Sequence, residues 1–293
     1  MSTFHTPVML SEVTEGLGVT PGKRYIDATV GGGGHGWEIV KRGGKLLGID
    51  VDPEAIKYAI ENAKCQMPNA KWGEDVKIIQ GNFRDIERIA KENGFGQVDG
   101  VLFDLGVSSH HLDTMERGFS WRFDGAPLDL RMNQTEGKTA ANLINTASEE
   151  ELYEIFAKFG EEELAGPIAH AVVGARRVKP IETTGALAAI IETVVPTGLR
   201  KHSLSRVFQA IRIVVNDELV ALREGLAGAV NVLAPGGRLA VISFHSLEDR
   251  IVKGFLKQSN MNIITKSPIR PARKEIESNR RARSAKLRIA TNL

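Results

Sequence analysis

The stretch "DATVGGGGHG", residues 27–36, decides the fold, because four consecutive glycines follow a short apolar run. Glycine loses more backbone freedom on folding than any other residue, so such a run indicates that the chain turns tightly or that a ligand comes close. Gly31, Gly33 and Gly36 also satisfy G-x-G-x-x-G, the pattern of dinucleotide-binding turns. The stretch therefore predicts a ligand-binding turn between a first strand and a helix.

Strand and helix patterns alternate on both sides of this turn. The sequence predicts strands at 24–29, 45–50, 76–81 and 98–106, with helices at 34–42, 53–64 and 83–93. Strands separated by helices of this length indicate βαβ units and a parallel sheet. After Asp113 the patterns are helical until a strand at 236–244. We therefore predict one α/β domain from residues 1–113 and 214–293, with a helical insertion, 114–213, that recognises the substrate.

Length and composition limit the class of protein. The chain has 293 residues, enough for one large domain or two smaller ones, and its apolar runs are too short to span a membrane. The N-terminus lacks a basic segment followed by an apolar core, so no signal peptide is expected. The single cysteine, Cys65, excludes an intrachain disulfide and a cysteine-based zinc cluster. These features predict a cytoplasmic protein that contacts no membrane, and the histidine spacing predicts no metal site.

Charge is distributed unevenly along the chain. Residues 266–293 hold nine of the 38 basic residues and two of the 36 acidic ones, so this tail is near +7 and the remainder near −5. Arg280, Arg281, Arg283, Lys286 and Arg288 lie within nine positions. A solvated terminus and a contact with nucleic acid phosphates both explain such a cluster. Composition alone leaves both interpretations open.

Acidic residues stand at the ends of three predicted strands. Asp27 precedes the glycines, Asp50 ends the second strand and Asp104 ends another. Asp27 would repel a pyrophosphate but could hold an ammonium group, whereas Asp50 is placed to accept hydrogen bonds from a ribose diol. Three acids at the ligand-binding edge of an open sheet suit S-adenosylmethionine (AdoMet) better than NAD, because AdoMet combines ammonium, sulfonium and ribose groups.

The chain resembles a known family almost from end to end. It is similar to the MraW family, bacterial AdoMet-dependent methyltransferases that modify N4 of a cytidine in the decoding region of 16S rRNA. The resemblance implies a Rossmann-like class I methyltransferase fold, a doubly wound sheet with an inserted helical subdomain. The matching stretches are "HTPVMLSEV" (5–13), "IDATVGGGGH" (26–35), "GIDVDPEAI" (48–56), "DLGVSSHHLD" (104–113), "ERGFSWRFDGAPLDLRM" (116–132), "RVFQAIRIVVNDEL" (206–219), "PGGRLAVISFHSLEDRIVK" (235–253) and "RARSAKLR" (281–288).

The resemblance also implies roles for individual positions in binding AdoMet. Gly33, Gly34 and His35 would line the amino-acid end of the cofactor, and Asp50 would hold its ribose. Phe83 would pack against the adenine, and Asp104 would lie near the adenine or the methionine. One position departs from the family: His111 stands where a glutamine that contacts the cofactor is usual. Imidazole keeps one hydrogen bond but lacks the paired donor and acceptor of the amide.

Methylation of an exocyclic amine requires no covalent enzyme intermediate, and catalysis then depends mainly on orientation. An acceptor for the N4–H would favour the nucleophilic form of the amine. Asp104 and Ser108 are candidates, and Asn216 and His245 are weaker ones, with a structural role for His245 equally possible. Methylation at C5 of cytosine would require a thiolate, and Cys65 is far in sequence from the strand-end acids.

Three functions remain open from the sequence. We favour an rRNA N4-cytidine methyltransferase that acts, as a monomer or dimer, on 16S rRNA within the assembled or nearly assembled small subunit. A catalytically silent ribosome-assembly factor is the second. An NAD-dependent oxidoreductase is the third, and Asp27 and the lack of an evident substrate domain with acid–base pairing disfavour it.

Overall fold

A seven-stranded sheet forms the centre of the fold in the computed structural model, which describes residues 7–66 and 70–293. The strand order is β3-β2-β1-β4-β5-β7-β6. β1 to β5 run parallel to one another, and β7 is antiparallel to β5 and β6. The strands are β1 (Arg24–Asp27), β2 (Lys45–Asp50), β3 (Val76–Gln80), β4 (Val98–Asp104), β5 (Leu233–Ser243), β6 (Met261–Ile263) and β7 (Lys286–Asn292).

The helices alternate with the parallel strands as the sequence predicts, which confirms the α/β fold. Pro53 begins α3, where its fixed backbone angle suits the first turn of a helix. Because β1, β2 and β4 are neighbours, their carboxyl ends lie side by side, and open α/β sheets bind ligands at this edge. The helices that accompany the sheet are α1 (Leu10–Leu17), α2 (Gly34–Lys41), α3 (Pro53–Gln66), α4 (Ile86–Glu92), α11 (Glu218–Val232), α12 (Ser246–Gln258) and α13 (Arg273–Ser278).

The chain divides into two compact units. The first consists of the residues up to Ser108 together with Leu219–Leu293, and the second is Ser109–Glu218. The predicted insertion, 114–213, lies inside the second unit. Between Asp104 and Leu233, a range that the structure describes in full, no residue belongs to the sheet.

The second unit packs its helices around an apolar core of its own, which includes Leu152, Phe156, Ile168 and Phe208. Ser148 begins α7 in a capping box with Glu151, as the sequence predicts. The helices of this unit are α5 (Ser109–Asp113), α6 (Ala140–Thr146), α7 (Glu149–Gly160), α8 (Ala165–Arg176), α9 (Thr184–Val194) and α10 (Arg200–Val215). Within residues 7–66 and 70–293, no helix has both the length and the apolar character that crossing a membrane requires.

The basic tail divides into a buried strand and an exposed segment. Arg288 of β7 is buried, and both Arg288 and Lys286 pair with Asp249 of α12, at 2.8 and 2.9 Å. Burial opposes ionisation of Asp249, but the hydrogen bonds from these two bases outweigh it and lower its pKa. Lys286 and Arg288 are therefore set apart from the other cations of the tail, because their charges stabilise the packing of β7 against α12.

We call residues 264–285 the C-terminal arm. Two backbone hydrogen bonds between Ile269 and Leu287, each 2.9 Å long, attach the arm to β7. Ala282 and Ala285 are buried in the core of the first unit. The arm also carries exposed basic residues: Lys266, Arg270, Arg273, Lys274, Arg280 and Arg283. The arm thus presents cations from a backbone that is fixed to the sheet.

Candidate active site

The glycine turn lies between β1 and α2 and is closely packed on both sides. Gly33 is the N-cap of α2 with a φ of 87°, which L-amino acids with side chains rarely adopt. A Cβ on Gly33 would lie 2.0 Å from the indole of Trp37, and one on Gly34 would lie 3.0 Å from the ring of Pro7. Gly33 therefore requires glycine for the turn itself, and a side chain at Gly34 would require the Pro7 ring to shift by a few tenths of an ångström.

Asp50 holds the glycine turn directly. One carboxylate oxygen accepts the backbone N–H of Gly31 at 2.8 Å, and the other accepts that of Asp52 at 2.9 Å. The carboxylate is half-buried at the end of β2. The sequence predicts a ribose ligand here, and the structure adds that Asp50 fixes the turn to the neighbouring strand.

Asp27 is a buried carboxyl beside the same turn. It is 1% exposed, and the backbone N–H of Thr29 donates to it at 3.2 Å. Burial raises the pKa of Asp27 to about 7; the charge on Asp50 adds to this rise, while backbone hydrogen bonds from Thr29 and Gly36 oppose it. Among the residues that the structure describes, no basic side chain pairs with Asp27. Asp27 therefore stays a candidate partner for the ammonium group of a ligand, as the sequence predicts.

Asp104 lies at the end of β4 and faces His35. Its Oδ2 is 3.5 Å from Nδ1 of His35, and its backbone N–H donates to the hydroxyl of Thr29 at 2.7 Å. Burial, together with the charges on Asp27 and Glu248, raises the pKa of Asp104 well above its usual range. The structure thus brings Asp27, Asp50, Asp104 and the glycine turn to one edge of the sheet in the first unit.

Phe83 follows β3 and is only partly buried. Its ring meets that of Phe103 edge to face, with 5.6 Å between the centroids. On α11, a Cβ at Gly225 would lie 2.8 Å from the Phe83 ring, so the helix approaches closely. The ring is held by the core and keeps part of its surface accessible, as a stacking residue for adenine would require.

His245 acts as the N-cap of α12. Its Nδ1 accepts the backbone N–H of Glu248 at 3.4 Å, so the proton of the neutral ring is assigned to Nε2, which lies 3.1 Å from Oε1 of Glu248. The Glu248 carboxylate in turn accepts the backbone N–H of Phe244 at 2.7 Å and that of His245 at 3.2 Å. Of the two roles considered for His245, this geometry favours the structural one.

Three predicted site residues lie at the end of the first unit or in the second. Ser108 is the last residue of the first unit. His111 is buried in α5 of the second unit, and its ring packs on Phe119 with 4.8 Å between centroids. The side-chain amide of Asn216 bonds the backbone groups of Leu130, Met132 and Arg212 at 2.7–2.9 Å. The amide of Asn216 thus connects three backbone groups of the second unit, and its candidacy as an acceptor for the N4–H stays a prediction.

Sequence reasoning missed two residues near this edge. Trp37 is 2% exposed and lies against Gly33; its indole nitrogen has no hydrogen-bond partner among the described residues. Glu248 is buried and caps α12. The spacing of His245 and Glu248 matches a capping box and could have indicated this role, although histidine stands where serine or threonine is usual.

Comparison with known proteins gives consistent matches along the chain. The sequence matches the MraW methylase family over residues 2–293. A protein of Carboxydothermus hydrogenoformans is 46% identical over 315 residues, which cover 100% of this chain and 99% of the relative. One of Deinococcus deserti is 48% identical over 292 residues, covering 99% and 93%. Both relatives are named ribosomal RNA small subunit methyltransferase H.

Proposed function

The chain belongs to the MraW methylase family and is a methyltransferase that uses AdoMet; from this premise we propose that it methylates N4 of a cytidine in the decoding region of 16S rRNA. The observation that carries the proposal is the set of three acids, Asp27, Asp50 and Asp104, at the ends of adjacent strands around the glycine turn. The proposed product supports maturation and decoding by the small subunit.

The residues at this edge fit AdoMet. Asp27 is buried and has no basic partner in the described part of the chain, so it suits the ammonium group. Gly33, Gly34 and His35 at the start of α2 suit the amino-acid end. Asp50 suits the ribose diol, since it lies beside the turn with both oxygens placed to accept hydrogen bonds. Phe83 offers the accessible part of its ring to the adenine. His111 belongs to the second unit and is proposed as a further contact only on the resemblance.

In methyl transfer, the residues of this chain orient the amine of the target cytidine. They also supply the acceptor for its N4–H. Bound AdoMet supplies a methyl group already activated by a sulfonium. The Oδ atoms of Asp104 and the hydroxyl of Ser108 are the acceptors that we propose for the N4–H, because both lie at or just after the end of β4. The target base must leave its stack to reach this edge. We propose that the second unit contributes to recognition of the RNA.

Two observations support an RNA substrate. The relatives named above carry rRNA methyltransferase names at 46% and 48% identity, and the C-terminal arm presents exposed cations. Phosphate contacts from such cations position a nucleic acid without reading its sequence. We propose that the reaction takes place in the cytoplasm, on assembled or nearly assembled small subunits, with the enzyme acting as a monomer or dimer.

The proposal predicts a defined product. Purified protein with AdoMet and small subunits that lack the modification is expected to yield N4-methylcytidine, measured by mass spectrometry of digested 16S rRNA. Asp104→Ala is expected to reduce the rate by roughly 10²–10⁴-fold, the range of a lost acid–base contact. RNA binding without methylation by the unaltered protein would instead favour the assembly-factor function.

AdoMet affinity is expected to depend on pH through Asp27. The pKa of its buried carboxyl is about 7 in the free protein, and an ammonium ligand requires the ionised form. Below that pKa a proton must be released on binding, so affinity is expected to fall about 15-fold from pH 7 to pH 5.5. Calorimetry across this range measures the effect. Asp27→Asn is expected to bind more weakly and with a flatter pH dependence; an unchanged slope in this variant would assign the titration to another group, with Asp104 the first alternative.

A further inference from the structure

The C-terminal arm contacts the beginning of the described chain through Glu275. Oε1 of Glu275 in α13 accepts the backbone N–H of Met9 at 2.7 Å, across 266 positions of sequence. Met9 is 1% exposed and has a φ of 54°, in the left-handed region that is unfavourable for residues with a side chain. The hydrogen bond from Met9 to Glu275 is one of the contacts that hold the backbone of Val8 and Met9 in this conformation.

The same backbone segment fixes the ring of His35. The carbonyl oxygen of Val8 lies 2.9 Å from Nε2 of His35. A carbonyl can only accept, so Nε2 carries the proton in this contact and Nδ1 is directed toward Asp104, at 3.5 Å from Oδ2. His35 is 4% exposed, and its orientation therefore depends on these buried neighbours rather than on solvent.

We propose that Glu275 is a positioning residue for the AdoMet site. By holding Met9 it sets the position of the Val8 carbonyl, which orients His35 against Asp104 at the ligand-binding edge. The inference rests on the proposed function for the placement of His35 and Asp104 at the AdoMet site. Neither the sequence pattern nor the family resemblance points to Glu275.

Glu275→Ala is expected to weaken AdoMet binding about tenfold in calorimetry, the scale of one lost hydrogen bond to a charged group. Glu275→Gln keeps an oxygen that accepts from Met9 and is expected to restore affinity to within about twofold. The matched control is Glu277→Ala in the same helix, since Glu277 is exposed and pairs only with Arg273 in the contacts described. In methylation assays, KM for AdoMet is expected to rise about tenfold in Glu275→Ala, while kcat at saturating AdoMet stays within about twofold.

If the hydrogen bond between Glu275 and Met9 only stabilises the fold, the variants are expected to differ in stability and not in AdoMet affinity. The proposal is overturned if Glu275→Ala lowers the melting temperature yet binds AdoMet as tightly as the unaltered protein. It is also overturned if Glu275→Gln binds AdoMet as weakly as Glu275→Ala. Glu275→Asp keeps the charge but shortens the reach, and it is expected to lose affinity too, which provides the test if the alanine variant does not fold. Failure of the unaltered protein to methylate small subunits would reject the proposed RNA substrate, and the AdoMet titrations would still decide the role of Glu275.

Discussion

Asp50→Ala is expected to weaken AdoMet binding by about 1–3 kcal/mol, or roughly 5- to 150-fold, the range for losing hydrogen bonds to a charged group. Two losses combine in this variant. The carboxylate that we propose for the ribose is removed, and the backbone N–H of Gly31 loses the acceptor that fixes the glycine turn to β2. Isothermal titration calorimetry with AdoMet measures the change directly.

The control for Asp50 is Asp99→Ala, which removes a carboxylate near the start of β4. Asp99 pairs with Lys23 at 2.9 Å and lies toward the opposite edge of the sheet from Asp104. AdoMet affinity is expected to be unchanged in this variant. Asp50→Asn is expected to be intermediate, because its amide keeps one acceptor oxygen. Unchanged affinity in Asp50→Ala would remove Asp50 from the site.

Local sequence patterns predicted the parallel half of the sheet well. The strand at 45–50 is observed with the predicted bounds, and acids at the ends of β1, β2 and β4 lie where the alternation of strands and helices places them. These features depend on neighbouring residues: an apolar run, a glycine turn and a helix start. The order of β7 and β6 at the other edge depends on pairing with distant strands, which no local period reveals.

The partners of Lys286, Arg288 and Asn216 lie far away in the sequence, so local patterns do not reveal them. Lys286 and Arg288 resemble surface cations in the sequence, because their partner Asp249 lies 37 positions from Lys286 and 39 from Arg288. Asn216 has the chemistry of an active-site amide, but the backbone groups of Leu130 and Met132 that it bonds lie more than 80 positions earlier. The side chain of Cys65 lies outside the described residues.

Removing three cations from the C-terminal arm is expected to weaken binding to small-subunit rRNA and to reduce its salt dependence. We choose Arg270, Arg280 and Arg283 for alanine substitution because all three are exposed, whereas Arg281 is half-buried and Lys286 and Arg288 pair with Asp249. Each lost phosphate contact reduces the slope of log affinity against log salt by about 0.7–1. Between 50 and 200 mM salt, the affinity of the unaltered protein is therefore expected to fall about 20- to 60-fold further than that of the triple variant.

The matched control removes the same charge from two helices of the first unit. Lys41, Lys57 and Lys64 are exposed on α2 and α3, and their triple alanine variant is expected to keep the salt slope of the unaltered protein. Both triple variants are expected to bind AdoMet normally, because none of these side chains reaches the acids at the strand ends in the contacts described. Equal slopes for the unaltered protein and the arm variant would show that the arm is a solvated terminus. The RNA surface would then have to be sought on the second unit, where Arg177, Lys179 and Lys201 are the next cations to replace.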